Sequence, residues 1–250
     1  MEPPVDFYRQ WKTIMKNDFG GIKEEKAMSR IPEPEIMEDP LHVAAYAGAS
    51  LDNGHWFFVQ QFRKFFRGQE PQGAILDLGC GPAEIPLRLA GLFPRCELHG
   101  VDGSFQMLEL GKKNIHRQGL GDKIHLFQGI LPENILLPRQ RYEVVISNNF
   151  LHHLADPMVL WNALYKYSLP HAAILIMDLL RPDSEESAEC IVDTYVPDAP
   201  PLLRDDMLLS LRAAYSLEEV AEQLQKANLA ETLNLTMASP FQFAVHGYMT

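Results

Sequence analysis

The stretch Ala74-Ile-Leu-Asp-Leu-Gly-Cys-Gly-Pro-Ala83 constrains the fold of this chain more than any other. Ala74, Ile75, Leu76 and Leu78 make an apolar run of the kind that is buried on both faces, as a strand inside a parallel sheet is. Gly79 and Gly81 then permit a tight turn in which backbone can approach a ligand. The next segment, Glu84 to Phe93, carries apolar residues at Ile85, Leu87, Leu89 and Leu92, and Pro86 is tolerated there only within a first helical turn. The order is strand, glycine loop, helix, which suits a nucleotide-type ligand at the strand end. By itself Gly-x-Gly is a weak signal, and the third glycine of the dinucleotide fingerprint would fall at Glu84.

From residue 73 onward the same alternation repeats. Glu97–Asp102, Ile124–Gln128, Tyr142–Ser147 and Ala172–Met177 read as further strands, with helices expected over 104–118 and 157–167. Ser216-Leu-Glu-Glu219 opens another helix with a capping-box pattern. Strands alternating with helices imply right-handed crossovers and an α/β, doubly wound parallel sheet. Ligands of such sheets sit beyond the carboxyl ends of the strands, which places Asp77, Asp102, Gly129, Asn148 and Asp178 on one rim. The last two alternating runs, 232–237 and 241–248, are too close together for a parallel crossover and must pair antiparallel or part company. A simple dinucleotide-binding domain does not end that way.

Composition narrows the classes. A chain of 250 residues, 46% hydrophobic and 22% charged, can bury a core as one domain with an added element. No apolar run approaches the ~20 residues that cross a bilayer, and the start Met-Glu-Pro-Pro-Val-Asp lacks a basic, apolar leader, so a cytoplasmic protein without a membrane partner is expected. Cys80, Cys96 and Cys190 share no CxxC spacing, which argues against disulfides and structural zinc; each is expected to be a small buried thiol, and no metal site is expected. The formal charge of -11 repels phosphate backbones, so nucleic acid is not expected as a partner.

With these residues in view, the chain over roughly 70–250 resembles the class I S-adenosylmethionine-dependent methyltransferases of small molecules. Asp77-Leu-Gly-Cys-Gly-Pro-Ala83 matches the family's acidic-x-Gly-x-Gly-x-Gly signature except at Ala83, where alanine fits if the position is already helical. Asp102 lies 21 residues after Gly81, where an acidic side chain accepts hydrogen bonds from ribose hydroxyls. The resemblance implies a seven-stranded, mostly parallel sheet with an antiparallel last strand and S-adenosylmethionine as cofactor. It implies cofactor contacts from Asp77, Gly79, Cys80, Gly81, Asp102, Gly103, Ser104, Met107, Gly129, Ile130 and Asn148, with Met107 against the adenine. The stretch Ser147-Asn-Asn-Phe-Leu-His-His-Leu-Ala-Asp-Pro157 resembles the motif beside the reacting methyl, making His152 and His153 candidate general bases.

The acceptor is read from what lies outside the sheet. Residues 1–70 are expected to form an N-terminal helical cap, with Phe58, Phe62 and Phe65 on one stripe packed into the core. Residues 71–250 form the Rossmann-like domain, and the long connection 179–215, with capping signals at Asp183 and Ser184 and prolines at 197, 200 and 201, reads as a two-helix lid or a dimer interface. Tyr8, Trp11, Tyr46, His55, Asn149, Asp178 and Arg181 are the candidate acceptor contacts, Asp178 serving equally as a helix cap. The expectation is methyl transfer to a small molecule by a monomer or homodimer, the methylated N, O, S or C atom being open. The alternatives are a nucleotide-dependent oxidoreductase, a non-catalytic S-adenosylmethionine-binding protein, and an RNA or protein methyltransferase.

Overall fold

The computed structural model describes residues 28–33, 43, 52–65, 71–133 and 135–250. Helix α1 (Asp52–Phe65) is followed by β1 (Gly73–Leu78), α2 (Glu84–Leu92), β2 (Cys96–Asp102), α3 (Phe105–Arg117), β3 (Ile124–Gln128) and β4 (Tyr142–Asn148). A single 3-10 turn (Leu151–His153) leads to α4 (Met158–Tyr167) and β5 (Ser168–Leu179). The hairpin of α5 (Glu185–Tyr195) and α6 (Pro201–Ala213) precedes α7 (Leu217–Lys226), β6 (Leu233–Ser239) and β7 (Gln242–Tyr248). The strand order is β3-β2-β1-β4-β5-β7-β6, with β7 antiparallel to both neighbours and the other described pairs parallel.

The sequence explains this arrangement element by element. β1 is buried from Ala74 through Leu78, as its unbroken apolar run requires. Leu76, Leu78, Val145, Ile174 and Val245 pack on one face against Trp161 of α4 and Leu224 of α7, while Ile75, Val144 and Ala173 pack on the other against α1 and α2. Trp161 is fully buried and its Nε1 donates to Gln223 Oε1 at 3.0 Å, so α4 and α7 share one satisfied anchor. Removing ~200 Å² of indole from water contributes about 5 kcal/mol at 25 cal/mol per Å². Pro86 falls in the first turn of α2, and Ser216 with Glu219 closes a full capping box on α7. β5 starts earlier than the apolar core of its sequence suggests, because His171 (φ 63°) bends the chain and lets Ser168 pair with Tyr142.

Among residues 1–70, Phe58 and Phe62 are fully buried and Phe65 packs at the edge of the same cluster, so the aromatic stripe of α1 is core. The Phe62 and Phe93 rings meet at 5.5 Å, tilted by 56°, and Arg88 lies over the Trp56 ring, so α1 packs alongside α2. The rest of the expected cap, including Tyr8, Trp11 and Tyr46, lies outside the described residues apart from 28–33 and 43. The 179–215 connection is the expected pair of helices around a proline turn; Leu179, Ala188, Val192, Leu211 and Ala214 form its own small core. Cys80 and Cys96 are buried thiols, but Cys190 is exposed, because it sits on the outer face of α5. No helix among the described residues is long and apolar enough to cross a membrane.

Candidate functional site

At the carboxyl end of β1 the chain turns on Gly79 (φ 73°) and Gly81 (φ 50°), both in the left-handed region that glycine tolerates. The Gly79 and Cys80 amides donate to Val101 O at 2.9 and 3.0 Å, tying the loop to β2. The two glycines do different work. A Cβ placed at Gly79 would sit 2.4 Å from the Phe150 ring, whereas one at Gly81 would meet nothing within 4 Å. Gly81 thus faces open space where a ligand can approach backbone. Ala83 corrects the sequence reading. It is not helical: it is the N-cap of α2 at φ 63°, ψ 28°, a conformation that strains a residue bearing a Cβ.

Asp102 holds this loop. Its Oδ2 accepts from Gly81 N and its Oδ1 from Ser104 N, each at 2.8 Å. Burial raises its pKa, and those two amide bonds offset part of the rise. Asp77 is 3% exposed, and burial together with the Asp102 charge pushes its carboxyl up to about 8. The Cys80 thiol is likewise pushed up by burial and by the two carboxylates. Carboxyls perturbed by burial and by one another beside a glycine turn are the pattern of a functional site. Gly103 O accepts from Gln128 Nε2 at 3.2 Å, Ser104 Oγ caps α3 by accepting from the amide of buried Met107, and Gly129 N donates to Asp102 O at 3.0 Å. Ile130 is exposed beside Gly129. At the end of β4, Asn148 Oδ1 is buried without a hydrogen-bond partner among the described residues, while Asn149 (φ 52°) is exposed and donates its amide to Met177 O.

The turn after β4 is built around Asp178. Its Oδ2 accepts from the Phe150 and Leu151 amides at 2.8 and 2.6 Å, and its Oδ1 from Leu179 N at 2.7 Å, with His152 Nδ1 2.5 Å away. Asp178 is therefore not an acceptor contact: at 1% exposure its oxygens are already occupied, and it fixes Phe150 against Gly79. Arg181 is also corrected. Its guanidinium donates to Ala214 O and Glu219 Oε1 at 3.0 and 2.9 Å, joining the hairpin to α7. His152 cannot serve as a base to a substrate, since it is buried with Nδ1 on Asp178 and Nε2 3.3 Å from Glu33 Oε1. Burial opposes its charge, but Asp178 and Glu33 outweigh that and raise its pKa, while His152 in turn outweighs the burial of Asp178 and lowers the pKa of that carboxyl. His55 lies half-buried in the first turn of α1.

Segment 28–33 supplies residues that carried no motif. Glu33 Oε1 lies 3.0 Å from His153 Nδ1 and accepts from Ser210 Oγ of α6 at 3.2 Å. Burial works to raise the Glu33 pKa, but His153, His152 and Ser210 lower it on balance. Arg30 donates to Ala213 O, His152 O and Leu154 O at 2.6, 2.9 and 3.1 Å and stacks on the Tyr215 ring at 4.1 Å. This strap closes one side of the rim. Only an isolated Arg and Glu near prolines marked it in the sequence.

A glycine cradle open at Gly81, a carboxylate bridging loop and second strand, and an orphaned acceptor at Asn148 together fit an adenosyl amino acid. Residues 75–167 match the family model described as "Methyltransferase domain". Among curated proteins, the chain is 31% identical over 118 residues to a release factor glutamine methyltransferase of Thermosynechococcus vestitus, covering 47% of this chain and 34% of that one. It is 28% identical over 146 residues to a malonyl-[acyl-carrier protein] O-methyltransferase of Priestia megaterium, covering 58% and 50%. The chain thus spans half or less of the length of these relatives. Among solved structures, the plantazolicin methyltransferase BpumL in complex with a triazolic desmethylPZN analog and SAH superposes with a TM-score of 0.65 at 14% identity, over 85% of this chain and 92% of that one. Residues 75–167 are thus a methyltransferase domain, and the sheet around them has the fold of the solved S-adenosylmethionine-dependent methyltransferases. S-adenosylmethionine is the cofactor that such a domain takes.

Proposed function

We propose that this chain transfers the methyl group of S-adenosylmethionine to a small-molecule acceptor held under the α5–α6 hairpin. The observation that carries the cofactor half is the Asp102 carboxylate bonded to Gly81 N beside a face open to ligand. In this reading Asp77, Gly79, Cys80 and Gly81 face the amino-acid and sulfonium end. Asp102, Gly103, Ser104 and Met107 face the ribose and adenine, with backbone contact from Gly129 and Ile130. Asn148 supplies its free acceptor oxygen. Bound S-adenosylmethionine supplies a methyl carbon on a good leaving group. The chain's part is then to hold a nucleophile in line and exclude water, placement alone contributing on the order of 7–11 kcal/mol. Asn149, exposed at the end of β4, and the partly exposed His153 lie on the acceptor side.

Two features favour a small acceptor over RNA. The formal charge of -11 repels a phosphate backbone. The strap 28–33 and α6 also meet over the 3-10 turn through Glu33, Ser210 and Arg30, which narrows the approach. A protein acceptor is the second reading, because several relatives are named for protein substrates, release factors among them. Incubating the purified chain with methyl-labelled cofactor and a fractionated cell extract separates these readings. Label in a low-molecular-weight product is expected; label only in protein or RNA overturns the small-molecule reading, and no label in any fraction favours binding without turnover.

A further inference from the structure

We infer that Glu33, His152 and His153 form a site for one divalent transition-metal cation of zinc-like preference at the acceptor side of the rim. Glu33 Oε1, His152 Nε2 and His153 Nδ1 all lie within 4.8 Å of one another. Their separations from Glu33 Oε1 are 3.3 and 3.0 Å. A tetrahedral Zn²⁺ with bonds of about 2.0–2.1 Å sets its ligand atoms about 3.3–3.4 Å apart, which the two separations from Glu33 Oε1 approach, and the third pair also lies within 4.8 Å. His153 Nδ1 is buried 3.0 Å from Glu33 Oε1.

The surroundings complete the arrangement. His152 presents Nε2 because Asp178 takes Nδ1 at 2.5 Å, the carboxylate–histidine pairing that fixes ring orientation behind metal ligands. Asp178 is itself held by three backbone amides, so the ring has little freedom. The two imidazoles stack at 4.2 Å with planes 35° apart, and Arg30 fixes the His152 carbonyl, so the turn carrying both ligands is pinned. With neutral imidazoles, the Glu33 and Asp178 carboxylates balance a dication. Two imidazoles and one carboxylate favour zinc-like ions over Mg²⁺ and Ca²⁺, which take oxygen ligands. The His153 side chain remains partly exposed, so a water or an acceptor oxygen can reach the cluster as a fourth ligand.

The cation site does not depend on the methyl-transfer reading; only its role does. There a bound cation would lower the pKa of an acceptor hydroxyl, whose proton passes to solvent. The freed oxygen pair then attacks the methyl carbon of S-adenosylmethionine while the carbon–sulfur electrons return to sulfur. The acceptor class implied is a hydroxyl or similarly ionisable group.

The test uses the metal-stripped full chain without cofactor or acceptor, so its failure is distinct from a failure of methyl transfer. Calorimetric titration with Zn²⁺ is expected to give one site per chain, and Co²⁺ a visible absorption band of tetrahedral type. Glu33→Gln and His153→Gln are expected to weaken Zn²⁺ by about tenfold or more and to remove the Co²⁺ band, and Asp178→Asn to weaken it ~10–100-fold. His125→Gln, in the separate Glu97–His99–His125 cluster at the other end of the sheet, should leave the Co²⁺ band of the Glu33–His152–His153 site unchanged. Circular dichroism checks that each variant is folded. No saturable Zn²⁺ site, or one unchanged in both Glu33→Gln and His153→Gln, overturns the inference.

Discussion

Cofactor binding at neutral pH should expel a proton from Asp77. Its carboxyl titrates at about 8 in the ligand-free chain, because burial and the neighbouring Asp102 charge both oppose ionisation. At pH 7 such a group is ~0.9 protonated. The amino and sulfonium groups of S-adenosylmethionine bring positive charge to this carboxyl, and an opposite charge within ~4–6 Å lowers a carboxyl pKa by about 1–3 units. Asp77 would then titrate at ~5–7 and release roughly 0.4–0.9 proton at pH 7. Calorimetry in buffers of different ionisation enthalpy reads this directly: the observed binding enthalpy plotted against the buffer's enthalpy has the number of protons as its slope. Asp77→Asn should bring the slope to near zero. A zero slope in the wild type, or an equal slope in Asp77→Asn, would refute the reasoning that this buried acid pairs with the cofactor's charge.

The same carboxyl makes the ligand-free fold pH-dependent. A raised carboxyl pKa gives stability that is full below about pH 4 and is lost as pH rises toward 8, by up to ~1.4 kcal/mol per pH unit; denaturant unfolding of Asp77→Asn at pH 5 and 8 should show a flatter dependence than the wild type. Ala83→Gly should stabilise the chain by about 0.5–1 kcal/mol, since relief of ~1–2 kcal/mol of left-handed strain exceeds the entropy glycine adds to the unfolded chain; a fall in Tm would contradict the strained N-cap. Arg30→Ala removes three hydrogen bonds to carbonyls and a cation–π contact, and should cost about 2–4 kcal/mol in denaturant unfolding; a loss under ~0.5 kcal/mol would show that the strap is not anchored through it.

The sheet was legible because its strands are either unbroken apolar runs, as in β1, or period-2 patterns, as in β6 and β7. The proximity of those last two runs excluded a parallel pair, and the sheet carries them antiparallel. The capping residues Ser184 and Ser216 marked true helix starts because their hydroxyls compete well for exposed amides. The acceptor side was misread where sequence could not reveal saturation. Asp178 and Arg181 are polar residues after a strand end, a pattern shared by ligand contacts and by structural anchors; only their occupied partners separate the two. His152 and His153 are adjacent in sequence yet face one carboxylate, because the 3-10 turn brings both rings to the same side. Glu33 and Arg30 were invisible, since contacts spanning more than a hundred residues leave no local period. Ala83 departs from the signature glycine while keeping glycine's backbone conformation, which no spacing argument detects.

The most direct test of the account is a pair of calorimetric titrations of the purified chain, one with S-adenosylhomocysteine and one with NAD(H), repeated on Asp102→Ala. One S-adenosylhomocysteine per chain, no NAD(H) binding, and an affinity falling roughly tenfold to a hundredfold in Asp102→Ala are predicted, as the loss of charge-assisted hydrogen bonds worth about 1.5–3 kcal/mol requires. Binding of NAD(H) without S-adenosylhomocysteine, or an S-adenosylhomocysteine affinity indifferent to Asp102→Ala, would contradict it.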